Sequence, residues 1–422
     1  MWKQDKAIKL LAVIAISVGM SGGEAIAGKL PQTASPGSKQ IINGIYTENL
    51  QAAEYFQRGV LQYKQGDYPG AETSLRQALR FDPFMPLGYY LLANSLVEQG
   101  NLDEAIANYL QAIAYDPNLA EAYYNLGLAL YRQGNPSAAT AQFLEAIDIN
   151  PKFQQAYYNL GLALEAQQRY SEALSAYEQA LIINAQDAAA YYNIGRLLVR
   201  ANREENAIAT FQQAIRANPE FANAHYQLGL LYLKQNDLER AAEALGTAVE
   251  LDPNNPLSQY ALGYVFTQQK KYSAARDRLE RAAELDPSNA ETFLQLGVVQ
   301  SQRSAPENAI AALEQAVRLD PEDAAARYNL GVIYQQQQRY EDAIAQYQQA
   351  ILLNPRQPEA YYNLGVILHE SGRSSEAARL LNQAKELYLQ QDNPVRVGEI
   401  NRYLREVVLP SILVPNNNNQ EN

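Results

Sequence analysis

Residues 120–153 read AEAYYNLGLALYRQGNPSAATAQFLEAIDINPKF, a double helical pattern with a break in the middle. Tyr123, Leu126, Gly127 and Leu130 recur at steps of three and four, so they share one face of a first helix. Gly134-Asn135 interrupts that pattern. Ala139, Phe143 and Ala146 then share a face of a second helix, with Ile147 beside them. Asn150-Pro151 ends it, because the residue before proline avoids helical dihedrals and proline lacks the next amide donor. The stretch predicts two helices joined by a tight turn.

Moving outward, the same pattern repeats every 34 residues without an insertion. One alanine column runs Ala71, Ala105, Ala139, Ala173, Ala207, Ala241, Ala275, Ala309, Ala343, Ala377, and a second follows seven residues behind, from Ala78 to Ala384. Ten repeats therefore run from 52–85 to 358–391. Asp-Pro or Asn-Pro closes most of them, as at Asp82-Pro83, Asp252-Pro253 and Asn354-Pro355. Such self-similarity means one helix-turn-helix element stacked on its own copies, each burying a face that it cannot bury alone. The first helices also carry a glycine column, Gly59, Gly127, Gly161, Gly195, Gly229, Gly263, Gly297, Gly331 and Gly365, with Ala93 in the remaining repeat. Glycine inside a helix costs about 1 kcal/mol relative to alanine. The expected compensation is close approach of the paired helix, with the alanine columns as the facing small surface.

The repeat resembles the tetratricopeptide repeat over residues 52–391, on motifs such as Tyr157-Tyr158-Asn159-Leu160-Gly161, Ala173, Tyr177 and Ala180. The resemblance implies an all-α fold: a right-handed superhelix of about ten helix pairs, with first helices lining a concave groove and second helices forming the convex back. It also implies a scaffold that holds an extended peptide or another protein in that groove. Departures are few. Ala185 and Leu389 stand where other repeats have proline, Arg58 replaces an apolar residue in the first repeat, and Arg327 replaces a bulky one in the ninth. Local loosening is expected near residues 185 and 327.

The net charge of −12 argues against an electrostatic grip on nucleic acid, which needs surplus Lys and Arg, and against adsorption to anionic lipid. With no cysteine there is no disulfide or thiolate metal site, and the two histidines, His225 and His369, fall in separate repeats. No metal and no cofactor is expected. The start of the chain reads as an export signal: Lys3, Lys6 and Lys9, an apolar run from Leu10 to Val18, and Ala25-Ile26-Ala27 before Gly28. An uncleaved anchor is the alternative. Cleavage after residue 27 would leave a charge of −13 and a protein in a periplasm-like or lumenal space. Residues 28–51 read as a flexible lead-in with Pro31, Pro36 and Gly37. Residues 392–410 read as a capping helix, with Asn393 as N-cap, Pro394 at the first position and an apolar stripe of Ile400, Tyr403, Leu404, Val407 and Val408. Residues 411–422, with Asn416 to Asn419, read as a disordered tail.

The candidate groove residues follow the first tyrosine of each repeat. They are Tyr124 and Asn125, Tyr158 and Asn159, Tyr192 and Asn193, Tyr226 and Gln227, Tyr260 and Tyr264, Tyr328 and Asn329, and Tyr362 and Asn363, with Leu128, Leu162 and Arg196 one turn on. An amide offers donor and acceptor together, and tyrosine adds flat apolar area with a polar tip, so the set suits polypeptide main chain. It resembles the asparagine ladder of the repeat domain in O-linked N-acetylglucosamine transferase. The alternative is that these asparagines stabilise neighbouring helices. Arg196 and Arg200, with Arg203 and Lys234 near, could orient an acidic group, or form a solvated face beside Glu204 and Glu205. The family's carboxylate clamp is not expected, because its places carry Glu121, Gln155, Ala189 and Leu128. There is no phosphate loop, nucleophile elbow or metal-spaced His-Glu pair, and no enzyme is expected. The sequence thus reads as an exported scaffold whose partner is a protein or peptide, not nucleic acid. It would meet a membrane only through a partner or an uncleaved anchor, in assembly or tethering of a membrane-associated complex. A carbohydrate-handling scaffold in polysaccharide export is the second reading, from the tyrosine content.

Overall fold

The computed structural model describes residue 47 and residues 49–410, and every described element is helical. The chain divides into two compact units, one ending at Gln227 and the other starting at Leu228. In the N-terminal unit the helices are α1 Leu50–Lys64, α2 Tyr68–Phe81, α3 Pro86–Glu98, α4 Leu102–Tyr115, α5 Ala120–Arg132, α6 Pro136–Ile149, α7 Gln154–Ala166, α8 Tyr170–Ile183, α9 Ala188–Arg200 and α10 Glu204–Ala217. α11, Ala222–Lys234, contains the boundary. The C-terminal unit continues with α12 Leu238–Leu251, α13 Pro256–Gln268, α14 Tyr272–Leu285, α15 Ala290–Gln302, α16 Pro306–Leu319, α17 Ala324–Gln336, α18 Tyr340–Leu353, α19 Pro358–Glu370, α20 Ser374–Gln390 and α21 Pro394–Tyr403. Odd-numbered helices up to α19 are the first helices of repeats. Within each unit a first helix touches the first helix of the next repeat, as α3 touches α5 and α15 touches α17, so each unit presents a wall of first helices. No helix among the described residues is long and apolar enough to cross a membrane.

The glycine column has a different partner from the one expected. A Cβ on Gly127 would stand 2.6 Å from the Phe143 ring, one on Gly161 2.5 Å from Tyr177, and one on Gly297 2.5 Å from Leu313. The large residue four places after the first alanine column fills the space above each glycine. These residues, from Leu75 through Phe143 and Tyr177 to Leu381, are fully buried, as are both alanine columns. The alanines let the backbones close: the Ala71 carbonyl oxygen lies 3.4 Å from a Cβ on Gly59. Gly127 thus gives up helix propensity in exchange for burial of a whole aromatic ring.

The turn inside each repeat closes a Schellman motif. The Asn135 amide donates to the Leu130 carbonyl at 2.9 Å, and the Gly134 amide to the Tyr131 carbonyl at 3.0 Å. The motif requires a left-handed residue, and every repeat has one at the same place. Gly66, Gly100, Gly134 and Gly372 meet the need, but Gln168, Asn202, Asn236, Lys270, Ser304 and Gln338 also adopt it, with φ between 55° and 61°. The next residue caps the second helix in some repeats: the Asn135 side chain accepts from the Ala138 amide and Asp237 from the Arg240 amide, while Asn101 makes no such bond.

α1 begins two residues inside the stretch read as lead-in, because the Asn49 side chain accepts from the Gln51 and Ala52 amides. The export signal, the rest of the lead-in except Thr47 and Asn49, and the tail at 411–422 lie outside the described residues. Over residues 392–410 the helical stretch differs from the single helix expected. Asn393 caps the Arg396 amide and α21 starts at Pro394, but a π-helical turn at Leu404–Val408 follows. The wider turn rotates the stripe, so Ile400, Leu404 and Val408 are buried while Val407 is 41% exposed. The loosening expected at residues 185 and 327 is absent. The Asn184 amide still donates to the Ala180 carbonyl at 2.9 Å, as its counterparts do. Arg327 binds the Pro321 carbonyl through Nε at 3.0 Å, and His225 and Gln259 make the same bond to Pro219 and Pro253 at 3.0 and 2.9 Å. At these three positions, where the tyrosine of most other repeats is lost, a polar side chain ties the helix to the preceding turn instead.

Candidate functional site: the wall of first helices

Several of the candidate tyrosines and amides form bonds between repeats. In the N-terminal unit the Asn125 Nδ2 donates to the Tyr90 hydroxyl, Asn159 to Tyr124 and Asn193 to Tyr158, at 3.0, 3.0 and 3.1 Å. Tyr192 and Gln227 continue the series. In the C-terminal unit Asn363 donates to Tyr328 at 3.2 Å. Each rung joins one first helix to the next across 35 residues of chain. A glutamine column adds a second tie: Gln99 donates to Glu72, and Gln167 to Thr140 and to the Pro136 carbonyl. The reading in which the asparagines hold neighbouring helices together therefore describes their amide donors.

Tyr124, Tyr226, Tyr260 and Tyr264 are buried, as are Asn159 and Asn193. Asn125, Tyr158, Tyr192, Arg196, Gln227, Tyr328, Asn329, Tyr362 and Asn363 are half-buried, and Arg200 is exposed. The Tyr124 ring packs 4.8 Å from Phe153 and 5.9 Å from Phe143. Burial pushes the Tyr124 and Tyr158 phenols up to about 12, with the amide bonds pulling partly the other way. Tyr226 is buried with no partner for its hydroxyl, and burial raises it further. Tyr260 meets Glu291 at 3.4 Å, and the Gln295 amide also donates to Glu291.

The arginine cluster is partly neutralised. Arg196 pairs with Glu165 at 3.1 Å, both side chains well covered, and Arg200 stacks over the Tyr170 ring at 4.2 Å. Lys234 belongs to the C-terminal unit.

A shallow pocket opens on the N-terminal wall between α3 and α5, lined by Asn94, Val97, Tyr109, Asn125, Leu128, Ala129 and Arg132. Asn94 is its hub: its Oδ1 accepts from the Tyr109 hydroxyl at 2.6 Å and from Asn125 at 3.0 Å. The floor is apolar through Val97, Leu128 and Ala129, and Arg132 is exposed at its rim. Sequence reasoning named Leu128 and Asn125 and missed Asn94 and Arg132. The signal was present: the second repeat has Leu91 at the amide place and carries its asparagine three residues later.

Family models described as tetratricopeptide repeat match residues 52–84, 120–153, 158–222, 192–256, 226–290, 294–351 and 358–391, and models described as TPR repeat match 93–134 and 333–372. The chain belongs to the tetratricopeptide repeat family. Among solved structures it is similar to YrrB, described as a TPR protein with an unusual peptide-binding site, at 27% identity over 45% of this chain and 97% of that one, with a TM-score of 0.40. MamA from Desulfovibrio magneticus RS-1 gives 26% identity over 40% and 96%, with a TM-score of 0.37. PilF of Pseudomonas aeruginosa gives 23% over 52% and 96%, with a TM-score of 0.44. No curated protein matches the chain.

Proposed function

We propose that this protein is a non-catalytic scaffold that binds an extended polypeptide along the first-helix wall of its N-terminal unit. The observation that carries the reading is the pocket between α3 and α5, where an apolar floor sits among groups that can hydrogen-bond a peptide: Asn94, Asn125 and Arg132. The pocket is a dimple with room for about one water, so an apolar ligand side chain would lie across its mouth against Leu128, and its flanking main chain would meet the amides. The rungs of the ladder keep this surface rigid, so little ordering entropy is lost on binding. In this reading the candidate tyrosines and amides of the N-terminal unit brace the wall, and those that stay partly exposed offer the ligand their remaining acceptors and ring edges. Polypeptide is favoured over sugar because stacking needs an open ring, and Tyr124 packs between Phe143 and Phe153. The basic and apolar start of the chain supports export to a periplasm-like or lumenal space, with a role in assembling or tethering a membrane-associated complex.

The test is photo-crosslinking from position 128 in the native compartment. The reading expects a protein adduct at 128 that is absent from a probe at Leu144, exposed on a second helix. Equal labelling from both positions, or none, would refute it.

A further inference from the structure

The last residues of the first helices form a column, and in the N-terminal unit that column is basic at every second repeat. Lys64 ends α1, Arg132 ends α5 and Arg200 ends α9. All three are exposed, and none of them holds a carboxylate among the described residues. Arg169, Arg240 and Arg373, equally exposed, each hold one. A cation at a helix C-terminus favours the helix dipole, but the dipole does not account for this column. Helices α13, α15, α17 and α19 end as well in Gln268, Gln302, Gln336 and Glu370, and α3 ends in Glu98. In a chain of net charge −12, unpaired cations kept in one column of one unit point to an anion outside the chain.

The neighbouring acids decide which cations are usable. Glu98 stands between Lys64 and Arg132 and offsets that interval. Between Arg132 and Arg200 the column holds only Ala166. Glu165 beside it is occupied: Arg196 pairs with it at 3.1 Å and the Tyr177 hydroxyl donates to it at 3.2 Å. Asp103 accepts from Gln133, and Glu204 and Glu205 open α10, where they suit its dipole. Arg132 lines the pocket between α3 and α5. Arg200 stacks over the Tyr170 ring at 4.2 Å, which leaves its edge N–H groups free to fork a carboxylate. Packed helices lie about 8–10 Å apart, so two steps span about 20 Å, or about six residues of extended chain. We propose that the polypeptide held by the N-terminal wall is acidic: one Asp or Glu beside the apolar residue at Leu128 meets Arg132, and a second, about six residues along, meets Arg200. The ligand's charge and spacing rest on the wall being a polypeptide surface, as proposed above. Carboxylate side chains are favoured over nucleic acid, because two cations on an acidic protein release too few counterions to hold a phosphate backbone.

The test selects a random peptide library on the full chain and titrates an enriched peptide. Enriched peptides are expected to carry an acid next to an apolar residue and another about six residues on. Affinity should fall about tenfold in the double variant Arg132→Gln with Arg200→Gln, and should fall with rising salt in the unaltered chain. It should hold in Arg356→Gln, which removes an exposed charge from the C-terminal unit. All three arginines lie at the surface, and matching circular dichroism melts confirm that the repeats remain folded. Enriched peptides without acids, or an equal loss in Arg356→Gln, would overturn the acidic ligand and leave the wall a polypeptide surface. Enrichment of no peptide, or tighter binding of a short oligothymidylate, would overturn both.

Discussion

Asn159 donates through Nδ2 to the Tyr124 hydroxyl at 3.0 Å, and its second proton goes to the Gln155 carbonyl at 2.8 Å. Asn159 is only 3% exposed, so both of its donors are satisfied inside the protein. This bond couples α5 to α7, and its relatives couple α3 to α5, α7 to α9 and α9 to α11. The wall is therefore a braced surface as well as a candidate binding surface.

The bracing has a cost that can be measured. Tyr124→Phe leaves a buried amide donor without a partner and is expected to destabilise the fold by about 1–3 kcal/mol. Asn329 stands at the equivalent place in the ninth repeat, but the position 35 residues before it is Leu294, which offers no hydroxyl. Asn329→Ala should stay within about 0.5 kcal/mol of the parent. Urea unfolding followed by circular dichroism checks both, and equal costs would show that the rung contributes nothing.

The glycine column should resist even a methyl group. A Cβ at Gly127 would lie 2.6 Å from Phe143, whose ring has no free space to retreat into because it is fully buried. Gly127→Ala is expected to lose about 1–3 kcal/mol despite the better helix propensity of alanine. At Gly246, inside α12, nothing lies within 4 Å of an added Cβ, and Gly246→Ala should gain about 0.5–1 kcal/mol. Thermal melts of the two variants should move in opposite directions.

The left-handed turn residues offer a stabilising series. Gln168, Ser304 and Gln338 hold φ near 60° in a place where other repeats use glycine. Replacing each by glycine removes the Cβ clash at a cost in unfolded-chain entropy, for a net gain of about 0.5–1 kcal/mol. Gly134→Ala, at φ 83°, should lose a similar amount. Chemical denaturation of the single variants is the check.

Alkaline pH should weaken the braced wall. The Tyr124 phenol ionises at about 12 in the folded protein, chiefly because burial disfavours the phenolate, against an ordinary value of 10.0. The folded state holds this proton more tightly than the unfolded chain. Its contribution, on the order of 2 kcal/mol, is complete below pH 10 and disappears as pH rises from 10 through 12. Stability measured across that window should fall steeply, and Tyr124→Phe, although less stable at neutral pH, should lessen the fall while leaving the slope below pH 10 unchanged.

Much of this architecture was legible in the sequence because it rests on local chemistry. The 3.6-residue pattern, the Pro stops, the Asn393 cap and the burial of the alanine columns all follow from residues within one repeat. The partners across repeats were harder to read. That Gly127 makes room for Phe143, and that Asn159 reaches Tyr124, depends on how one helix pair settles against the next. The left-handed conformation of Gln168 is set by the Schellman motif and overrides the residue's own preference. The π-turn at Leu404–Val408 is announced by no periodicity in the stripe. At the candidate site, Leu128 and Asn125 were visible from their register. Asn94 was harder to see, because the second repeat shifts its amide from position 91 to position 94, and Arg132 lies one turn beyond Leu128, past the places the register singled out.

The most direct test of the wall as a polypeptide-binding surface is a titration. A random peptide library is selected on the full chain, and an enriched peptide is titrated calorimetrically against the unaltered protein, Leu128→Asp and Arg132→Ala. Binding at least tenfold weaker in Leu128→Asp and measurably weaker in Arg132→Ala, with unchanged melting temperatures, is the predicted result. Failure to enrich any peptide, or equal affinity for all three proteins, would contradict the account.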